Sequence, residues 1–445
     1  MNANPRDDLP LAGIRVLDLS RVLAGPWCTQ TLADLGAEVW KIEAPGQGDD
    51  TRSWSPPDID GESTYFLCAN RSKESVAINL KHPEGQRIVR DLARQADVLV
   101  ENYRLGALEA FGLGYEDLAA INPGLIYCSI TGYGRSGPRA AEPGYDFVIQ
   151  AESGLMSITG ESDGAPMKLG VAITDLITGM NGVQAILAAL LARARSGRGQ
   201  HIDLALLDGA ISVLANVGAG YLAAGHKPQR LGNAHPTVVP YQIFATRDGS
   251  FALAVGNDAQ FSRLCALLNR PEWSTHPDYA TSRARVLNRA TLIPQLESLF
   301  AAEDTAHWLA RVRAAGIPAG AVRSVDQALD APELAARGMI ADTPDAKHGT
   351  VRLLRSPLHL RGTPPREPAA PRAWENTRMP CWPAPSRWTK KRARHCAARA
   401  PLPDSEGIAP MPKSIRKPYH PCQPPSGAHS WISVIFSSSW SWPRR

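Results

Sequence analysis

From Ile14 to Leu207 the chain alternates short β-branched, apolar runs with longer stretches whose apolar positions recur at helical spacing. Residues 14–19, 37–42, 96–100 and 125–130 read as buried strands, and residues 27–35, closed by Gly36, and 84–95 as helices. Strands alternating with helices predict a parallel sheet flanked by helices. A long apolar helix over 175–194 follows, closed by Ser196-Gly197-Arg198-Gly199 before strand-like residues 201–207. The pattern shifts near Gly225. Residues 241–246 and 251–255 flank Arg247-Asp248-Gly249-Ser250, a hairpin signal, and residues 260–269 and 290–315 read as helical. The expected fold class is therefore α/β, with a large Rossmann-like domain over 9–224 and a smaller α+β domain over 225–315. Strand-like residues 317–322 and 351–359 predict a return to the large domain over 316–374.

Composition narrows the class. A chain of 445 residues, 44% hydrophobic, suffices for two cores. Residues 1–10 are polar and charged, unlike a signal peptide, and no stretch reaches the roughly 18 consecutive apolar residues of a membrane helix. Seven cysteines lie scattered without CxxC spacing, which indicates neither a disulfide framework nor a zinc site. Together these features predict a soluble cytoplasmic protein with no membrane partner and no metal. The net charge of +5 hides an asymmetry: from Arg372 onward 13 Lys/Arg stand against 3 Asp/Glu, leaving 35 basic and 40 acidic residues before it. The body is mildly acidic, so no nucleic-acid partner is expected.

The basic end segment also holds six of the eleven tryptophans and loses all periodicity. Back-translating residues 378–383 as CGG ATG CCG TGC TGG CC and starting at the third base gives Asp-Ala-Val-Leu-Ala, a helix opening after Glu375-Asn376-Thr377. Residues 375–445 thus have two explanations: an aberrant tail left by a frameshift near Thr377, or a natural disordered Pro-rich extension.

Candidate chemistry collects at strand ends. Arg21-Val22-Leu23-Ala24-Gly25-Pro26 follows the first strand; it is not GxGxxG, which argues against a dinucleotide dehydrogenase, yet such a turn can aim backbone N–H groups at a phosphate. Further on stand Asn70-Arg71-Ser72-Lys73, Glu101-Asn102-Tyr103-Arg104, Thr131-Gly132-Tyr133-Gly134 and Pro143-Gly144-Tyr145-Asp146. Lys73 and Arg104 offer charge to phosphates, Asn102 directional hydrogen bonds, and Tyr133 a stacking face. Each is equally a loop residue bonded to its own backbone. Asp175 closes an apolar run and opens an apolar helix. It reads either as a helix-start carboxylate or as a low-pKa, ionised nucleophile at a cleft. Gly179 and Gly182 on the same helix leave room for a ligand or another backbone.

An ordered set of segments resembles the family III CoA-transferases: Leu-Ala-Gly-Ile-Arg-Val-Leu-Asp-Leu-Ser at 11–20, Val-Leu-Ala-Gly-Pro at 22–26, Leu-Gly-Ala-Glu-Val-Trp-Lys-Ile-Glu at 35–43, Val-Glu-Asn-Tyr-Arg at 100–104, Gly-Tyr-Gly at 132–134, Gly-Tyr-Asp-Phe at 144–147, Asp175 with Gly179, and Gly-Arg-Gly-Gln at 197–200. The resemblance runs from about Leu9 to Thr377. Glu375-Asn376-Thr377 is similar to the family's terminal Gly-Glu-His-Thr-Asp-Glu-Val-Leu, and the shifted frame restores Asp-x-Val-Leu, which strengthens the frameshift explanation. The resemblance implies a homodimer of interlocked subunits, with CoA and acyl-CoA as substrates and no prosthetic group. It implies that Asp175 attacks the donor thioester, forming anhydride and aspartyl-CoA thioester intermediates, and that Leu23, Ala24, Asn70, Lys73, Asn102, Thr131 and Tyr133 contact CoA.

The chain also departs from the formyl-CoA branch. Ala44, Thr131 and Ala110 stand where that branch has basic residues, and Arg104 is the expected source of replacement charge. In place of that branch's glycine-rich loop stands Gly232-Asn233-Ala234-His235-Pro236-Thr237, which resembles the branch using succinyl-CoA with dicarboxylates or hydroxyacids and makes His235 a candidate substrate contact. The α-methylacyl-CoA racemases share the aspartate but pair it with histidine in Gly-His-Asp. Here that position is Tyr145, whose reference pKa of about 10 makes it a poor base, so transfer is favoured and Tyr145 becomes a substrate-side candidate. An inactive CoA-binding remnant of a damaged gene is the non-enzyme alternative.

Overall fold

The computed structural model describes residues 8–372. Six strands form one parallel sheet: β1 (Arg15–Asp18), β2 (Glu38–Glu43), β3 (Glu74–Ala77), β4 (Val98–Glu101), β5 (Ile126–Thr131) and β6 (His201–Ala205). Their order is β3-β2-β1-β4-β5-β6, so the chain reverses direction across the sheet between β1 and β4. The inner strands β1, β4 and β5 are largely apolar because both faces are buried, whereas the edge strands β3 (Glu-Ser-Val-Ala) and β6 (His-Ile-Asp-Leu-Ala) are mixed in character and partly buried. Alternate residues divide between two cores: Val16, Val98 and Ile126 enter one, Leu17, Leu99 and Tyr127 the other.

Helices α1 (Ala24–Asp34) and α5 (Ile173–Ser196) cover the first face, while α2 (Pro83–Ala93) and α3 (Tyr115–Ile121) cover the second. The short α4 (Asp146–Glu152) lies against α5. Helix α5, with 24 residues, is long and apolar enough to cross a membrane, but Val183, Ile186 and Ala189 enter the core beside α1. Gly179 makes that packing possible: a Cβ there would stand 2.7 Å from the Ala24 carbonyl oxygen. The room left by this glycine is filled by another backbone.

The predicted hairpin is present as β7 (Tyr241–Ala245) and β8 (Ser250–Ala254), packed on a core that includes Phe244, Phe251, Phe300 and Trp308. Three sequence expectations are corrected here. The run expected as a strand over 201–207 turns helical at Leu206, because apolar residues continue across the change. The helical stretch 290–315 is two helices, Arg289–Phe300 and Thr305–Ala314; Asp248 on the hairpin accepts the Thr305 N–H at 2.7 Å and fixes the second start. The strand expected over 317–322 to rejoin the large domain is β9 (Ala319–Ala321), which pairs antiparallel with β8 in the small sheet. The chain reaches the large sheet's surroundings later: Ser72 donates its N–H to the Ala369 carbonyl and Arg372 donates to Glu74 at 2.8 Å. The tail discussed above, residues 375–445, lies outside the described residues.

Candidate active site

Ligands of open α/β sheets bind beyond the carboxyl ends of the strands, where strand order reverses. A cleft of about 220 Å³ occupies that position, lined by residues 21–24 after β1, 102–105 after β4, Thr131 and Gly132 at the end of β5, the segment 140–145, and Asp175. Helix α1 opens here with no side-chain cap, leaving its first backbone N–H groups turned to the cleft end of the sheet. Arg104 is exposed and its guanidinium has no partner among the described residues, whereas Arg21 is held by Asp50 at 3.1 Å and lies over the Tyr103 ring.

The floor beneath the first turn is ionic. Asp18, fully buried, accepts from Thr29 Oγ1 at 2.6 Å and from Lys73 Nζ at 3.1 Å. Burial raises its pKa, but Lys73, Lys41 and the hydroxyls of Ser20 and Thr29 outweigh it and bring the carboxyl to about 2. Lys73 also donates to the Pro26 carbonyl at 2.8 Å and to Asn70 Oδ1 at 3.0 Å, while Asn70 Nδ2 donates to Phe66 O. Burial, against the attraction of Asp18, lowers Lys73 to about 8.

Asp175 occupies the first turn of α5, half-buried, and accepts no hydrogen bond among the described residues. Its carboxyl is pushed up to about 7, first by burial and then by the nearby Asp146. The expectation of a low-pKa carboxylate is corrected on this ground: no donor offsets the lost water. Asp146, at the start of α4, accepts both the N–H and the hydroxyl of Thr174 at 2.8 Å and so anchors the beginning of α5. Gly132 and Gly144 allow the segment carrying Asp146 to cross the end of β5; a Cβ on Gly132 would meet Gly144 Cα at 2.6 Å.

Of the residues singled out in the sequence, Leu23, Ala24, Asn102, Arg104, Thr131, Tyr145 and Asp175 share the cleft. Four do not line it. Asn70 and Lys73 are buried beneath the turn with their polar atoms committed to one another, to Asp18 and to backbone carbonyls. Tyr133 donates its hydroxyl to Glu152 at 2.7 Å and stacks its ring under Arg139, so neither stacking face nor hydroxyl is directed as expected. His235 belongs to the small lobe, its ring against Tyr241 and its Nδ1 accepting the Thr237 N–H at 3.1 Å. Two neighbours of Asp175 escaped sequence reasoning. Asp146 stood in the Gly-Tyr-Asp triplet without a role. Tyr65 carries no spacing signal, yet its phenol is pushed up to about 12 by burial and then by the charge of Asp175, and it packs edge-on against Trp54 at 5.1 Å. Among the described residues no group of three or more His, Cys, Asp or Glu is placed to hold a metal ion.

A carboxylate and a guanidinium that are both without partners among the described residues, facing a switch-point cleft beside uncapped N–H groups, are equipped for covalent group transfer on an anionic ligand. The chain matches CoA-transferase family III over residues 11–377 and belongs to that family, making it a CoA-transferase. Succinyl-CoA:glutarate CoA-transferase of Mus musculus is 48% identical over 348 residues, covering 78% of this chain and 79% of the relative. Succinate--glutarate CoA-transferase of Agrobacterium fabrum is 47% identical over 373 residues, covering 82% and 93%. Among solved structures, a CAIB/BAIF family protein from Brucella suis is similar with a TM-score of 0.74 and 45% identity, covering 83% of this chain and 98% of that one.

Proposed function

We propose that this enzyme moves CoA from succinyl-CoA to a small dicarboxylic acid through Asp175. The observation that carries the reading is the Asp175 carboxylate, open to the cleft and held by no hydrogen bond among the described residues. The curated relatives named above, which act between succinyl-CoA and glutarate, support the substrate class. Asp175 attacks the thioester carbonyl; the C–S bond breaks, CoA thiolate leaves and a mixed anhydride forms. The thiolate then attacks the Asp175 carbonyl and expels succinate, leaving an aspartyl-CoA thioester. The acceptor carboxylate attacks that thioester and releases the thiolate again. The thiolate takes the acceptor acyl group from the second anhydride, and Asp175 is regenerated. Every step exchanges acyl derivatives of similar reactivity, so the sequence needs no redox partner.

In this reading the backbone around Leu23 and Ala24, with Arg104, holds the phosphate-bearing part of CoA, and Thr131 lines its path. Tyr145, 64% exposed at the lip, stands on the acyl side, and Lys73 and Asn70 serve as the floor. Exposed apolar side chains, including Leu191, Tyr221 and Leu222, suit burial against a second copy of the chain, and we take the working form to be a cytoplasmic homodimer. Incubation with succinyl-CoA and a panel of diacids, followed by hydroxylamine or borohydride trapping, tests the chemistry. The modification is expected on Asp175 and should vanish in Asp175→Ala together with at least about a thousandfold of turnover. Labelling elsewhere, or exchange of an α-proton without CoA transfer, would reject it.

A further inference from the structure

The turn joining β1 to α1 is shaped by residues outside it. Val22, a β-branched residue, sits at φ +69°, where only glycine goes without steric conflict. Its neighbour Arg21 is gripped on both sides of the backbone: Asn102 Oδ1 accepts the Arg21 N–H at 2.8 Å, and Asn102 Nδ2 donates to the Arg21 carbonyl at 2.7 Å. Asp49 Oδ1 accepts the Val22 N–H at 3.3 Å, and Asp49 is itself fixed by Lys41 at 2.8 Å. Leu23 and Ala24 come next, already in the lining of the cleft. The path of this turn therefore decides where the first N–H groups of α1 face.

We propose that Asn102 is a positioning residue for the CoA thioester: its amide is turned to Arg21 rather than to ligand, and it holds the strained turn that presents the start of α1. The strand after the switch point thus disciplines the turn of the strand before it. This rests on reading the cleft as the CoA site.

Asn102→Ala should weaken binding of CoA, measured by titration calorimetry, by roughly tenfold, the scale set by an unsupported left-handed residue. The KM for succinyl-CoA should rise by a similar factor while kcat falls less. Glycine takes positive φ freely, so adding Val22→Gly to Asn102→Ala should restore most of the lost affinity. Asn102→Asp keeps the acceptor for the Arg21 N–H but loses the donor; its smaller loss should be suppressed in the same way, and it carries the test if the alanine variant does not fold. An equal loss with and without Val22→Gly overturns the proposal, because the amide then acts on the ligand directly. So does the absence of any loss. A wild-type chain that takes up no CoA overturns the reading of the cleft and this proposal together.

Discussion

Asp18 and Asp175 are both withdrawn from bulk water at the same end of the sheet, yet they titrate in opposite directions. Around Asp18 every loss of hydration is answered by Lys73, Lys41, Ser20 or Thr29, and the carboxyl falls to about 2. Around Asp175 nothing among the described residues donates, a second carboxylate stands nearby, and the carboxyl rises to about 7. The difference is one of partners more than of burial. A charge that holds the scaffold is saturated with hydrogen bonds, whereas the charge proposed to form and break bonds to substrate is left without them.

Breaking the floor should have the largest effect on stability. Lys73→Met leaves Asp18 buried without its nearest cation, and removal of one partner of a buried pair costs about 3–5 kcal/mol. Denaturant unfolding at neutral pH should show a loss of that order, tempered by Lys41. Adding Asp18→Asn should recover much of it, since no charge then needs a partner. The pH dependence follows from the lowered pKa: stability from Asp18 is present above its ordinary 3.8 and is lost as pH falls through about 2. A harmless Lys73→Met would end the contrast drawn between the two carboxylates.

Neutralising Asp175 should act in the other direction. With a raised folded-state pKa, its favourable contribution is present below 3.8 and disappears as pH rises through about 7. Asp175→Asn should therefore unfold later than the wild type at pH 8, by about 1–3 kcal/mol after allowance for its partial exposure, with the gap closing towards pH 4. Thermal or urea unfolding at the two pH values checks this. Equal stability at pH 8 would mean that Asp175 finds a donor when ionised.

The apolar runs made the inner strands legible, because strands buried on both faces carry a strong signal over few residues, whereas the edge strand β3, Glu-Ser-Val-Ala, carries no such run and is not among the strands the pattern predicts. Boundaries were harder. The apolar run through Leu206 masks the change from strand to helix, and the helical pattern on either side of residues 301–304 masks a break set by Asp248, a partner distant in sequence. Asp175 emerged from an ordered set of motifs rather than from its own surroundings, which describe any acidic residue in a first helical turn. Lys73 shows the limit of that route: its charge and the family resemblance suggested a CoA contact, but only the fold reveals that Asp18 claims that charge. Asp146 and Tyr65 meet Asp175 through tertiary folding alone, and nothing in their local sequence marks the encounter.

The finest test separates the two causes that raise Asp175. Burial comes first and would survive any conservative change nearby, whereas the charge of Asp146 is removable. Asp146→Asn retains an oxygen to accept the Thr174 N–H and hydroxyl, so the start of α5 keeps its anchor. Its amide nitrogen then faces Gln150 Nε2, which now donates to Asp146 Oδ2 at 2.7 Å, and a small loss of thermal stability is expected there. On the proposed mechanism turnover requires ionised Asp175, so kcat/KM should fall on the acid side as the free enzyme's carboxyl becomes protonated. Loss of the neighbouring negative charge makes ionisation easier and should move that limb to lower pH by roughly half to one unit. A limb that stays in place while activity drops would assign Asp146 a purely mechanical part, anchoring α5 without tuning its carboxylate.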